Sequence, residues 1–385
     1  MADVADVADV AEVVVVGLGA MGSCALWRLA RRGLDVVGIE QFEPGHARGA
    51  SHGQSRIIRT AYAEGAGYVP LTREAWRLWD ELSAARGVDL VRRTGGLMLA
   101  PAGSGGIEAP QASAEAHGLP YELLTAEEIR RRFPQHRVDD DTAGFYEEDA
   151  GFVRAEEAVL AAVGQARAYG ARVLTGVTVA GVFPDTDRPR VKLADGSTIV
   201  ARHLVVAAGA WHRKLLVPMA PKIAVVRRVF GWFTFRGDFG PSRFPIFIRS
   251  DVSGERAWYG IPSLDGRTVK LGIHVWPGID EPVDPAVGAR EPDPVDARRL
   301  SRIAGDYLSG LDSEPARMQV CMYSSTADGD FLVGPVQGVP GVTVLGGFSG
   351  HGFKFAPVLG DIAADLATTG ETRWDIGFLD ADRKM

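Results

Sequence analysis

The stretch from Val13 to Glu40, VVVVGLGAMGSCALWRLARRGLDVVGIE, contains the most specific local pattern in the chain. Its four consecutive valines predict a buried parallel strand, and DVVGIE predicts a second one. Between them, residues Ala20 to Arg32 predict an amphipathic helix, and Gly33 suits the cap at its C-terminal end. The segment therefore predicts a strand–helix–strand unit in which a glycine-rich turn joins the first strand to the helix.

That turn has the spacing G-x-G-x-x-G, formed by Gly17, Gly19 and Gly22. The first glycine permits a tight turn, the second lets the backbone approach a pyrophosphate, and the third allows the helix to pack closely on the strand. The helix begins at Ala20 and Met21, whose N–H groups would face the phosphates. The pattern predicts a dinucleotide site of Rossmann type. The alternative is a glycine-rich turn that binds no ligand.

An acidic residue, Glu40, ends the second predicted strand. A carboxylate at this position accepts hydrogen bonds from ribose hydroxyls and repels a 2′-phosphate, so a phosphorylated nicotinamide cofactor is disfavoured. This unit alone does not separate NAD from FAD. A second glycine-rich loop, in GVTVLGGFSGHGFKFAPVLGDIAADLATTG (341–370), precedes a predicted helix and favours the longer cofactor, FAD, lying across a discontinuous domain.

Composition limits the class of protein. The 385 residues predict two or three domains, and the 46% apolar and 24% charged residues are typical of a globular chain. The net charge of −7, without a basic block, argues against nucleic acid and anionic membranes as partners. Two cysteines fit a reducing compartment. The start, MADVADVADVAEV, lacks the positive region of a signal peptide. We therefore expect a cytoplasmic enzyme with no metal site, whose residues 1–12 form a disordered tail.

Three later motifs follow the glycine turn in a fixed order: SHGQSRIIRTAY (51–62), CMY (321–323) and GFSGHGFKF (347–355). With them, the chain resembles the monomeric sarcosine oxidase and N-methyltryptophan oxidase family of FAD amine oxidases, within the D-amino-acid-oxidase-like group. The resemblance extends from about residue 13 to about residue 375. It implies an α/β fold with a Rossmann-type FAD-binding domain (13–85, 146–220 and 321–385). It also implies an α+β substrate domain (86–145 and 221–320) with a mixed, mainly antiparallel sheet.

Three segments predict strands of that second sheet: VFGWFTFR (229–236), RAWYGIPS (256–263) and RTVKLGIHVW (267–276). Alternation in the last places Lys270 and His274 on one face, about 13 Å apart, so that both could line one elongated cavity. Composition alone favours an exposed lysine, but the resemblance implies that Lys270 lies by the flavin and promotes its reaction with oxygen. A catalytic role and a structural role both stay open for His274.

The segment SHGQSRIIRTAY contains Arg56 and Arg59 around two isoleucines, which predicts that the arginines are partly buried and need anionic partners. The resemblance implies that Arg59 and Lys354 bind the substrate carboxylate and that Arg56 lies beside the flavin ring. The alternative for the arginines is a structural ion pair with an acid. Further substrate contacts implied by the resemblance are Tyr259, Tyr323 and His351.

The resemblance also gives Cys321 a specific role, an 8α-S-cysteinyl link to FAD, for which a thiolate is the appropriate nucleophile. The alternative is a small buried apolar cysteine, which is the preferred interpretation of Cys24. If the segment around Cys321 is a strand, Tyr323 shares its face. Further positions assigned to the cofactor are Gln41, Ser51, His52, Arg56, Ile57, Thr178, Ala208, Gly209, Trp211, Met322, Gly347, Phe348, Gly350, His351, Gly352 and Lys354.

The implied reaction is oxidation of the C–N bond of a secondary amine to an imine, with O2 reduced to H2O2. Sarcosine, a bulkier N-methyl amino acid, a cyclic imino acid and a sugar-derived amine all remain open as substrates. Two other hypotheses also remain: a dehydrogenase that uses another electron acceptor, or a non-catalytic subunit that keeps the fold. The resemblance implies a monomer whose partners are a small secondary amine and O2.

Overall fold

The structure, a computed structural model, describes residues 9–185, 188–216, 222–288 and 290–385. Its strands are β1 (Asp9–Val16), β2 (Val36–Ile39), β3 (Ser55–Arg59), β4 (Val91–Arg93), β5 (Gly96–Pro101), β6 (Glu122–Leu124), β7 (Thr142–Glu147), β8 (Ala150–Arg154), β9 (Arg172–Leu174), β10 (Val179–Phe183), β11 (Arg190–Leu193), β12 (Thr198–Val206), β13 (Ala224–Thr234), β14 (Ile246–Ser250), β15 (Ala257–Ile261), β16 (Thr268–Val275), β17 (Arg317–Ser325), β18 (Leu332–Val336) and β19 (Val339–Gly346).

The helices accompany mainly the first and last parts of the chain. They are α1 (Ala20–Arg31), α2 (Tyr68–Arg86), α3 (Glu108–His117), α4 (Ala126–Arg132), α5 (Ala155–Ala168), α6 (His212–Leu215), α7 (Pro294–Tyr307) and α8 (Ala356–Thr369), with short 3-10 turns at Gly209–Trp211, Phe353–Phe355 and Gly377–Leu379. None of these helices, within the described ranges, has both the length and the apolar character needed to cross a bilayer.

The first sheet has β1 at its centre, paired in parallel with β2 on one side and β12 on the other, while β19 continues beyond β12. The predicted strand–helix–strand unit is therefore present. Its first strand begins at Asp9 rather than Val13, because the backbone of Asp9–Ala11 pairs with 199–201 of β12. The predicted disordered tail is thus wrong for residues 9–12, and residues 1–8 lie outside the described residues.

Helix α1 packs against α5 and α8 on one face of this sheet. The contact with α8 is close because Gly360 has no side chain, and a Cβ there would lie 2.6 Å from the carbonyl carbon of Cys24. Cys24 is 1% exposed, and burial raises the pKa of its thiol to about 12. This cysteine therefore fills the helix contact as an apolar residue.

The second sheet is mixed and mainly antiparallel, as predicted, with the order β17-β13-β16-β15-β14-β5-β7-β6. A parallel pair, β14 with β5, joins residues of the two chain segments assigned to the substrate domain. Two predicted boundaries fall inside strands of this sheet, residue 321 within β17 and residue 146 within β7. The boundary at 220 lies outside the described residues. A third sheet, β3-β8-β4, contains Arg56 and Arg59 on β3.

Candidate active site

A groove of about 350 Å³ runs from the start of α1 to β17. Of the residues predicted to bind the cofactor, those that line the groove are Gly17, Gly19, Ala20, Met21, Glu40, Gln41, Ser51, Arg56, Thr178, Ala208, Gly209, Trp211, Met322, Phe348, Gly350 and Gly352. Ile57, His351 and Lys354 instead line a second cavity. Gly22, His52, Cys321 and Gly347 line neither of the two.

The glycine turn is shaped by three close approaches. Gly17 has a φ of +87°, and a Cβ there would lie 2.7 Å from the carbonyl oxygen of Ala207. A Cβ on Gly22 would lie 1.8 Å from the carbonyl oxygen of Gly17, which explains why Gly22 packs behind the turn instead of lining the groove. Gly19 faces the groove, and Ser51 Oγ accepts a hydrogen bond of 3.0 Å from the N–H of Ala20. The backbone at 17–19 can therefore approach a ligand closely.

Glu40 is held at the end of β2 by two backbone N–H groups. Its Oε2 accepts from Leu18 at 2.8 Å and its Oε1 from Phe42 at 3.0 Å. The carboxylate is 4% exposed and lines the groove. Each oxygen retains a lone pair for a ribose hydroxyl. The N-cap residue of α1, Gly19, has no side chain that could cap the helix, and Ser51 accepts from the N–H of Ala20. A glycine turn, a helix start with glycine at its N-cap, and a fixed carboxylate together fit an adenine dinucleotide such as FAD.

The second cavity, of about 250 Å³, shares four lining residues with the groove: Arg56, Tyr323, Gly350 and Phe353. The structure therefore brings together most of the predicted substrate and catalytic residues at this cavity: Arg56, Arg59, Tyr259, His274, Tyr323, His351 and Lys354. The ring of Tyr323 rests directly on Gly350, where a Cβ would lie 2.0 Å from the ring. The two cavities thus meet at one wall made by β3, β17 and the loop before α8.

Arg59 is buried and already has an internal anion. Its guanidinium donates to Glu64 Oε2 at 2.5 Å and to the carbonyl oxygen of Ala61 at 2.6 Å. Burial alone would raise the pKa of Glu64, but Arg59, His351 and Lys354 overcome this and hold it below its usual range. The structure therefore contains the ion pair with an acid that was predicted as the alternative for Arg59. Glu64 also lines the cavity, so a ligand carboxylate would compete with it.

Sequence reasoning missed Glu64, although it follows Arg59 by only five residues. We expect Glu64→Gln to strengthen the binding of a simple carboxylate such as acetate by roughly tenfold, because the competing charge is removed. The measurement is a titration of the holoenzyme followed by the flavin absorbance. Glu255→Gln, which removes an exposed acid outside both cavities, is the matched control. Equal affinities in the two variants would contradict the competition.

Lys354 is 4% exposed and is oriented by Tyr62 and His351. Its Nζ donates to Tyr62 Oη at 3.2 Å and to the carbonyl oxygen of His351 at 2.7 Å. The His351 Nε2–H donates to the carbonyl oxygen of Gly329 at 3.0 Å, so Nδ1 accepts from the Tyr62 hydroxyl at 2.6 Å. The Tyr62 ring also lies 4.4 Å from the Arg59 guanidinium carbon. Tyr62 thus contacts both cations, a role that its sequence position did not reveal.

Burial, with a smaller effect from Arg59, lowers the pKa of Lys354 to about 7. Lys354 is therefore charged below about pH 7 and neutral above it. We expect the dissociation constant for acetate to increase by about tenfold or more as the pH rises through this value, since one cation is lost. The neighbouring His274 and His351, both with a pKa of about 4, do not titrate in this range.

The matched variant for that titration is Lys354→Arg, because arginine keeps its charge over the whole range. Its acetate affinity should show no comparable pH dependence. If the affinity of this variant falls with pH as in the original chain, the titrating group is not Lys354.

Lys270 is fully buried, so the interpretation as an exposed lysine is wrong. Its Nζ donates to the carbonyl oxygens of Gly53 at 2.7 Å and Ser55 at 2.9 Å, and it lies 4.2 Å from the centre of the Phe230 ring. Burial holds its pKa well below the usual range, and Arg56 lowers it further. Lys270 lines neither cavity, because its ammonium is held by the backbone of the 53–55 segment. The prediction that Lys270 and His274 line one cavity is therefore correct only for His274, which lines the second cavity.

Cys321 and Tyr323 share one face of β17, as predicted, and pack in the same apolar cluster, whereas Met322 packs on the other side. Burial raises the pKa of the Cys321 thiol, while Arg56 and Lys270 partly counter this. Arg56 Nη2 donates to the sulfur at 3.7 Å. His52, 1% exposed, lies behind the groove with neither ring nitrogen bonded in the described structure. The cations Arg56 and Lys270 give the Cys321 thiol a positively charged environment.

The sheet arrangement and the groove define a dinucleotide-dependent oxidoreductase of the FAD class. The family described as DAO, FAD dependent oxidoreductase, matches residues 12–366. A monomeric sarcosine oxidase of Streptomyces avermitilis is 39% identical over 95% of this chain and 96% of its own. An N-methyl-L-tryptophan oxidase of Salmonella agona is 33% identical over 94% of this chain and 95% of its own.

A solved structure of similar fold agrees with this assignment. NikD, described as an unusual amino acid oxidase, has a TM-score of 0.84 and 27% identity, and the match covers 97% of both chains. The chain belongs to the monomeric sarcosine oxidase and N-methyltryptophan oxidase family of FAD-dependent oxidoreductases. This membership confirms the family and the fold predicted from the sequence motifs.

Proposed function

We propose that this protein oxidises the C–N bond of an N-methyl amino acid, with FAD as cofactor and O2 as the electron acceptor. The observation that carries the proposal is the pair of buried cations, Arg59 and Lys354, in a cavity that opens onto the groove wall at Arg56 and Tyr323. Two cations on one carboxylate distinguish an amino acid from a plain amine. The curated relatives named above act on compounds of this class.

Bound FAD would supply the acceptor for a hydride equivalent and pass the electrons to oxygen. The glycine turn and Glu40 would hold its adenosine portion. Arg59 and Lys354 would fix the substrate carboxylate in place of Glu64, and Tyr259 and Tyr323 would enclose the amine. The amine must lose its proton to react. The positive charge of the arginine and lysine side chains favours that neutral form by lowering the pKa of the bound ammonium group.

Arg56, in the wall shared by the two cavities, and the buried Lys270 form a second cationic pair in this proposal. The hydrogen-bond geometry supports this pair, because the Lys270 ammonium is held in place by the backbone carbonyl oxygens of Gly53 and Ser55. A fixed positive charge stabilises negative charge that develops on oxygen, so we assign Lys270 to the oxygen reaction. Lys270→Met should slow reoxidation of the enzyme much more than its reduction.

We further propose that Cys321 forms the 8α-S-cysteinyl link to FAD. The cations Arg56 and Lys270 support this because they favour the thiolate. After acid precipitation, the pellet of the original chain and of Cys24→Ala should be yellow, and that of Cys321→Ser should be colourless. A yellow supernatant with a colourless pellet from the original chain would exclude the link.

The proposed activity is tested by the release of peroxide from sarcosine, larger N-methyl amino acids and L-proline. Peroxide from an N-methyl amino acid supports the oxidase. Reduction of an added dye without peroxide would instead favour a dehydrogenase, and no reduction of bound flavin by any of these compounds would favour a non-catalytic protein. We also propose a monomer that acts in the cytoplasm, in keeping with two free cysteines and with the relatives' description as monomeric.

A further inference from the structure

The second cavity is lined along one side by adjacent strands of the second sheet. Tyr259 on β15 pairs with Ile248 on β14, which in turn pairs with Met98 on β5. Directly paired residues project from the same face of a sheet, and all three of these side chains line the cavity. On the other side, Tyr259 pairs with Gly272 on β16. The row therefore crosses four adjacent strands.

The length of this row exceeds what the smallest substrate needs. Adjacent strands are about 4.8 Å apart, so the row from β16 to β5 spans about 14 Å. N-methylglycine has bonds of about 1.5 Å and is only about 5 Å long. A molecule of that size cannot fill a row of this length, so the cavity has room for a longer substituent in the section beside β14 and β5. We call this section, lined by Met98, Gly106, Ile248 and Ser250, the distal section.

Small residues bound the row at both ends. Gly106 precedes α3, and a Cβ on it would lie 2.7 Å from both Ser250 Oγ and Ala100 Cβ. Gly272 permits a similar close approach at the other end of the row, since a Cβ there would lie 2.3 Å from the Tyr259 ring. The absence of these two side chains lets Tyr259 lie flat across β16 and lets the backbone before α3 pack closely against Ser250.

The distal section is also uncharged. The charged residues that line the cavity are Arg56, Arg59, Glu64 and Lys354, and none of them lies on β5 or β14. Arg249 is on β14 but is paired with Leu99, so it projects from the opposite face, where it donates to the carbonyl oxygen of Arg137. Met98 and Ile248 offer an apolar surface, and methionine adapts to ligands of varied shape.

From this geometry we infer that the distal section binds an apolar side chain on the α-carbon of the substrate. The inference rests on the proposed function. The carboxylate faces Arg59 and Lys354, and the N-methyl carbon that is oxidised must face the groove, so only the α-substituent can extend along β14 and β5. The substrate class is therefore N-methyl amino acids with aliphatic or aromatic side chains of leucine size or larger, rather than sarcosine.

Turnover provides the first test. With the holoenzyme, kcat/KM for N-methyl-L-leucine should exceed that for sarcosine by about tenfold or more, because each extra apolar group in such a pocket contributes roughly that factor. The isomer N-pentylglycine, which carries its apolar chain on nitrogen, should react more slowly than N-methyl-L-leucine. A higher kcat/KM for sarcosine, or for N-pentylglycine, overturns the inference.

Two substitutions fill the distal section, Ser250→Leu and Ile248→Phe, so that the test does not depend on one variant folding. In a variant that retains bound flavin, kcat/KM for N-methyl-L-leucine should fall about tenfold or more, while that for sarcosine changes by less than about threefold. Ser250→Ala keeps the space and should leave the ratio of kcat/KM for N-methyl-L-leucine to kcat/KM for sarcosine unchanged. Equal losses for both substrates in a flavin-loaded filling variant would overturn the inference.

Binding without turnover separates this inference from the proposed function. The probes are acetate and 4-methylpentanoate, which has the carboxylate and the leucine side chain but no amine, each titrated by the flavin absorbance. The longer acid should bind about tenfold more tightly, and Ser250→Leu should remove the difference. Absence of peroxide from every amine would reject the proposed function but not the distal section as a side-chain site. Equal binding of the two acids would reject the distal section as a side-chain site.

Discussion

Replacing Arg59 with methionine is expected to lower kcat/KM for an N-methyl amino acid by roughly a thousandfold, or about 4 kcal/mol. The side chain is 4% exposed and provides one of the two cations for the carboxylate. Its removal eliminates that contact and also leaves Glu64 without the arginine that now pairs with it. Steady-state peroxide assays give the value. The flavin content should not change, because Arg59 lines only the second cavity.

Two controls separate the carboxylate contact from other effects of this substitution. The double variant with Glu64→Gln relieves the unpaired acid and should recover only a part of the loss. A secondary amine without a carboxylate, N-methylpropylamine, should react equally well with the original chain and with Arg59→Met. A thousandfold loss with this amine as well would show that Arg59 serves the fold or the flavin, and not the carboxylate.

Gly22→Ala is expected to cause the largest loss of stability and of bound FAD. The added Cβ would lie 1.8 Å from the carbonyl oxygen of Gly17 and 3.2 Å from the Ala207 side chain, so the turn and α1 must move apart. Overpacking of this kind typically costs about 1 to 3 kcal/mol, and more when the obstacle is backbone. Thermal unfolding and the ratio of flavin to protein absorbance measure the two effects.

The matched control is Gly305→Ala in α7, where a Cβ would meet no atom within 4 Å. Alanine is favoured over glycine inside a helix by about 1 kcal/mol, so this variant should be as stable as the original chain or slightly more stable. Normal flavin content and stability in Gly22→Ala would mean that the close packing of turn and helix is not needed for the cofactor.

The parts of the fold that follow from short-range patterns could be predicted from the sequence. The valines of β1, the glycine spacing and the periodicity of α1 are all within 28 residues, and the first sheet has the parallel pair β1–β2 that this unit predicts. The start of β1 was missed because Asp9 and Val10 have no apolar pattern of their own, and their strand conformation comes from pairing with β12, about 190 residues later.

Site residues that lie within a motif could be predicted from the sequence. Residues whose role depends on neighbours from distant parts of the chain were predicted less well. Lys270 has a charge that favours exposure, yet backbone carbonyls of the 53–55 segment and the Phe230 ring enclose it. Glu64 and Tyr62 could not be assigned, because their roles depend on distances to Lys354, almost 300 residues away in the chain. The distal section depends on the parallel pairing of β5 with β14, which no local sequence pattern predicts.

The most direct test of the account is the anaerobic mixing of the holoenzyme with N-methyl-L-leucine while the flavin absorbance is recorded. We expect the absorbance of the oxidised flavin to disappear as substrate is consumed and to return when O2 is admitted, with one peroxide formed for each substrate molecule oxidised. If the flavin stays oxidised with this compound, with sarcosine and with the other N-methyl amino acids, the proposed oxidation is contradicted.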